Sequence, residues 1–68
     1  MEDALFQKGE VYLKIPAKNG NGIVNVNING TPRELKALSF NNQEIKTGSP
    51  ITVMDIDGEY VKVQLDNQ

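Results

Sequence analysis

Apolar and polar positions alternate from Glu10 onward: Val11, Leu13 and Ile15 share one side, Tyr12 and Lys14 the other. This is the period of a strand with one buried face. Pro16 ends it, and residues 17–22 carry two Asn-Gly pairs, both residue types that tolerate positive φ, so a turn follows. In the next strand Val24, Val26 and Ile28 point inward while Asn25 and Asn27 face water. Asn29-Gly30 then links it to a third run, Thr31–Ser39, as a type I′ hairpin whose two central residues both need positive φ. Pro32 lacks the N–H for a ladder bond and belongs at the strand start or on an edge. Leu35 and Ala37 give the inward face, which turns Leu38 outward unless a bulge shifts the phase.

Residues 40–49 break the pattern, with turn-forming Asn41-Asn42-Gln43-Glu44, an isolated apolar anchor at Ile45, and Lys46-Thr47-Gly48; a short helical turn fits there. Alternation resumes from Pro50 through Ile56, turns at Asp57-Gly58, and continues through Val61, Val63 and Leu65 as a second tight hairpin. Five strands with no helical period predict an all-β fold, a small five-stranded OB-like barrel, since closing the sheet removes exposed edges. Residues 9–66 form the barrel, with 1–8 as an N-terminal linker or tail and 67–68 as a C-terminal tail.

Composition narrows function mainly by exclusion. The 68 residues contain no histidine and no cysteine, so the commonest general base, the commonest metal ligand and all thiol chemistry are absent. No catalytic residue, metal ligand or cofactor is expected. A formal net charge of -2 works against non-specific attraction to phosphate backbones. No apolar run reaches the roughly 20 residues that cross a bilayer, and the first residues lack the features of a signal peptide. Any membrane segment is therefore expected in a longer parent chain.

Gly9-x-Val11, Ile15-Pro16-Ala17, Gly20-x-Gly22, the hairpin after it, Glu34-Leu35-x-Ala37, and then Ile45, Gly48, Val53, Gly58, Val61 and Val63 together resemble the C-terminal soluble domain of NfeD-like proteins. The likeness runs over residues 9–65. It implies a five-stranded OB-like barrel tethered to a membrane by transmembrane helices of the parent chain, and a protein partner of the flotillin or stomatin scaffold type at membrane microdomains. The cytoplasmic face is the expected side. Some long relatives carry a separate serine-protease domain, to which nothing in this chain is similar.

Asp55-x-Asp57-Gly58-Glu59 mimics part of a calcium loop but lacks its distal glutamate and flanking helices, and Asp-Gly is ordinary hairpin chemistry. Gly20-x-Gly22 lies between strands, so it is a turn and not a phosphate loop. Neither hairpin tip carries the lysine of a lipoyl or biotinyl carrier. Tyr12 and Tyr60 could stack bases, and Lys14, Lys18, Arg33, Lys36 and Lys62 could gather on one face, yet aromatics are few and the total charge is acidic. Leu38 and Phe40 suit either an apolar partner contact or, in so small a domain, the filling of the core. The expected function is a monomeric, non-catalytic interaction domain, with Leu38, Phe40, Tyr12 and Tyr60 as the candidate partner contact. No nucleic acid is expected as a ligand. The alternatives are a nucleic-acid-binding OB domain and an accessory domain of a membrane-associated protease.

Overall fold

The computed structural model describes residues 2–66; the expected C-terminal tail, 67–68, lies outside the described residues. After a single 3-10 turn, Glu2–Ala4, come five strands: β1 Lys8–Leu13, β2 Gly22–Ile28, β3 Thr31–Ser39, β4 Pro50–Asp57 and β5 Tyr60–Leu65. They close into a barrel in the order β1-β2-β3-β5-β4. All neighbours run antiparallel except β3 and β5, which are parallel with Ala37 opposite Val61 and Leu38 opposite Lys62. This is the predicted OB-like barrel.

Inward positions fill the interior with small and β-branched side chains: Val11 and Ile15, Val24 and Val26, Ala37, Ile51 and Val53, and Val61 and Val63 are all buried. Ile28, Leu35 and Ile56 pack against this cluster from its rim. No polar or charged side chain is buried among the described residues, so the core carries no desolvation penalty to offset.

Two bulges set which residues face in. Between Val11 and Leu13 the register against β2 slips, Val11 facing Val24 and Leu13 facing Ile23, so one β1 residue goes unmatched and the phase reverses. Leu13, expected inside, is therefore 56% exposed, while Ile15 is buried beyond the strand end. The second slip, between Val53 and Asp55 against β5, explains why Ile51 and Val53 are followed inward by Ile56 and not by Asp55.

The predicted N-terminal tail and the predicted helical turn both come out differently. Ala4 is fully buried in the core; Phe6, at φ 65, donates its N–H to the Val53 carbonyl at 2.8 Å, and Val53 returns its own to Gln7 at 2.9 Å. Phe6 and Gln7 thus continue the pairing along β4 beyond the reach of β1, while the 3-10 turn lies against β2. Residues 40–49 contain no helix. Ile45 is the anchor expected, held by reciprocal 2.9 Å bonds with the backbone of Ile15.

The first hairpin has the predicted form: Ile28 faces Thr31, with Asn29 at φ 54 and Gly30 at φ 82. In that register Pro32, opposite Asn27, directs its missing donor away from β2. The second hairpin is displaced by one residue. Asp57 pairs with Tyr60, so the loop is Gly58-Glu59, with positive φ at Gly58 (62°) alone, the pattern of a type II′ turn.

Replacing Gly30 with valine should cost about 2 kcal/mol, whereas Gly30→Asn, which tolerates the left-handed region, should cost under about 1 kcal/mol. Urea titration followed by circular dichroism distinguishes the two, and equal losses would contradict the type I′ assignment.

Gly9→Ala should also destabilise, by about 1–3 kcal/mol, because a Cβ there meets the Asn25 carbonyl oxygen and lies 2.9 Å from the Val26 Cγ2. A thermal melt of that variant unchanged from the parent would contradict the tight approach of β1 to β2.

Candidate functional site

A groove opens between the β1–β2 loop and the end of β3. One wall is Pro16, Ala17, Lys18, Asn19 and Gly20; the other is Leu38, Ser39, Phe40 and Asn42, with Lys62 of β5 alongside. Local backbone chemistry holds both walls. Asn19 at φ 56 and Asn42 at φ 59 turn the two loops, a conformation that asparagine accepts more readily than other side chains. The Gln43 N–H donates to the Ser39 hydroxyl at 2.8 Å, and the Phe40 N–H to the Val63 carbonyl at 2.8 Å.

Parallel pairing of β3 with β5 decides the groove's character. Outward Leu38 stands beside outward Lys62, and one rung away Lys36 stands beside Tyr60, the Lys36 ammonium lying 6.0 Å from the Tyr60 ring centroid. Phe40 is 45% exposed and outside the core; Leu38 is half-buried. Of the two roles open to them, core filling does not hold: neither belongs to the buried cluster, which valine and isoleucine already fill.

Of the four candidate contact residues, Leu38 and Phe40 share the groove and Tyr60 lies one rung from it. Tyr12 does not. It sits at the β1 bulge, 61% exposed, near the Leu13 end of an outward row that crosses Ile23 and Lys36 to reach Tyr60. Three inter-strand steps separate the ends of that row, roughly 14 Å along the sheet.

The lysines divide similarly. Lys18, Lys36 and Lys62 collect on this side, whereas Lys14 is drawn to Glu44 at 3.0 Å and Arg33 borders a different hollow with Asp3, Ile28 and Leu35. Asn19 and Asn42 line the same groove from two separate loops. Their turn propensity was visible; that the two turns meet follows only from closure of the barrel.

The acidic run at the second hairpin has ordinary local partners. Asp55 accepts the Ile56 N–H at 2.8 Å, and Asp57 lies 4.0 Å from the Lys62 ammonium.

No family model matches the chain, and no curated protein matches it. Among solved structures it is similar to the soluble domain of the NfeD protein YuaF from Bacillus subtilis, with 31% identity, a TM-score of 0.82, and coverage of 98% of this chain and 80% of that one. It is also similar to the C-terminal domain of stomatin operon partner protein 1510-C from Pyrococcus horikoshii, at 27% identity, TM-score 0.79, covering 98% of this chain and 94% of that one. The soluble domain of a membrane protein implicated in regulation of membrane protease activity, from Corynebacterium glutamicum, shares the fold at 19% identity and TM-score 0.70, with 97% of each chain covered.

Exposure of Phe40 sets an expectation that stability measurements check. Phe40→Ala should cost less than about 1 kcal/mol, while Val63→Ala, which empties a buried position, should cost about 2–3 kcal/mol. The opposite order in chemical denaturation would return Phe40 to the core.

Proposed function

The chain belongs to the NfeD family as one of its soluble OB-like domains, and from that premise we propose that it is a non-catalytic interaction domain of a membrane-anchored protein, docking onto a scaffold protein of the stomatin or flotillin type. The observation that carries this is the similarity over 98% of the chain to the soluble domain of an NfeD protein and to the C-terminal domain of a stomatin operon partner. The chemistry available agrees. With neither histidine nor cysteine, the side chains that most often move protons or attack substrates near neutral pH are missing. What the surface offers instead is a groove with apolar and cationic walls, suited to binding.

Among the described residues no helix is long and apolar enough to cross a membrane; in this proposal the parent chain's other segments do the anchoring. The protein partner is favoured over nucleic acid by the net charge of -2 and by a groove that holds Phe40 as its one aromatic wall, where single-strand binders use several stacking rings in a basic channel.

The full-length protein, extracted from membranes in mild detergent, should co-purify with a stomatin- or flotillin-type protein of the same cell, and deletion of residues 9–66 should abolish this. Short single-stranded oligonucleotides at low salt should show no saturable binding to the 68-residue chain. Retention of the scaffold by the deleted form, or a micromolar oligonucleotide complex lost on changing Tyr12 or Tyr60, would overturn the proposal.

A further inference from the structure

We propose that the groove between the β1–β2 loop and the end of β3 docks an acidic segment of the protein partner, one that carries carboxylates on either side of an apolar anchor residue. This rests on the protein-partner function above and specifies its chemistry.

The walls supply two kinds of contact. Leu38 and Phe40 give an apolar floor at the strand end, and Lys18 and Lys62 give positive charge, while no carboxylate is among the lining residues. Carboxylates outnumber cations in the molecule, nine to seven, yet the lining of this hollow holds two lysines and no acid, the acids nearest Lys62, Asp55 and Asp57, lying beside it on β4. A complementary ligand is one that brings negative charge.

Lys62 is not an ordinary surface solubiliser. Lys62 has a side chain only 37% exposed, against 67% for Lys8 and 59% for Lys14, the other two lysines in ion pairs. Its stem therefore lies along the barrel wall beside Leu38 and presents the ammonium from a fixed base. Its intramolecular contact, to Asp57, is at the 4.0 Å limit, which leaves the charge available to an incoming carboxylate. Lys18 faces it from the opposite wall and makes no ion pair among the described residues. An apolar anchor is required because cations alone would give weak, salt-screened attraction, whereas removing Phe40 from water on binding adds the non-directional term that holds a short segment in place.

A membrane of anionic lipid, or a nucleic acid, offers negative charge without spaced apolar anchors. Either would favour a broad basic face, and here the acids Asp55 and Asp57 stand beside Lys62 on β4. A narrow peptide avoids those acids; a flat polyanion meets them.

The test uses the 68-residue chain, labelled with nitrogen-15, and a synthetic peptide of sequence acetyl-EEDLEFEEL-amide. Saturable amide shifts confined to residues 17–20, 38–42 and 60–62 are expected, with a dissociation constant below about 1 mM. Lys18→Glu with Lys62→Glu should weaken binding at least tenfold, as should a peptide with every acid changed to its amide. Phe40→Ala should weaken it several-fold while the spectrum remains that of a folded barrel.

Shifts elsewhere, equal binding of the amide peptide, or no binding at all would overturn the proposal. So would equal or tighter binding of oligonucleotide or of phosphatidylserine vesicles at the same residues. Co-purification separates this from the broader function. If the full-length Lys18→Glu, Lys62→Glu protein still retains the scaffold, the groove is not the contact and the interaction domain stands. If the unaltered full-length protein retains no scaffold while the peptide binds, the groove stands and the scaffold assignment falls.

Discussion

At Gly9, β1 is paired on both sides, with Val26 of β2 and with Ile51 of β4, and this double pairing turns a curled sheet into a barrel. The inward position there has no room for a side chain, since a Cβ would meet the backbone of Asn25 and the side chain of Val26. A glycine in mid-strand marks such a close approach. Once β1 is fixed between its neighbours, its far end must leave the ladder, and the bulge after Val11 sends Ile15 across to Ile45. The long 40–49 connection is pinned by that bridge and by the bonds of the Val11 backbone to Gly48 and Ser49, at 2.8 and 3.0 Å.

The groove is a by-product of the same closure. Because β1 ends at Leu13 and Ile15 is drawn inward, the chain turns at residues 16–20 directly over the end of β3. Parallel pairing then brings β5 up beside β3 in a register that sets Lys62 against Leu38. Neither residue is chemically unusual. Their juxtaposition depends on a non-local strand pair, and no turn signal near either one specifies it.

This is also where the sequence stopped being informative. Local signals worked for what is local: the Asn29-Gly30 turn, the alternation of Val24, Val26 and Ile28, the clean inward face of Val61 and Val63, and the isolated anchor at Ile45. They failed at the bulges, because an extra residue at Tyr12 leaves the composition of β1 unchanged while reversing the side on which Leu13 lies. They failed at the second hairpin by one residue, since Asp57-Gly58 and Gly58-Glu59 are both good turn pairs and only pairing of Asp57 with Tyr60 decides between them. The N-terminal segment carries no local signal for its place in the fold, because the burial of Ala4 and the bonds of Phe6 and Gln7 to Val53 are tertiary contacts.

The aromatic residues show how the core's geometry bears on function. In a domain this small each large apolar side chain would be expected inside, yet Phe6 is 65% exposed, Tyr12 61% and Phe40 45%, and Tyr60 is half-buried. Burying a phenylalanine is worth about 1.5–3 kcal/mol, of which Phe6 forgoes the larger part and Phe40 a smaller one. The interior explains why they stay out: a ring of five closely spaced strands leaves space for valine, isoleucine and alanine, and an aromatic ring there would force the strands apart. Every aromatic is therefore at the surface by necessity of the barrel. At the end of β3 that necessity places an apolar ring beside two lysines, so the constraint that closes the fold also furnishes the surface proposed for the partner.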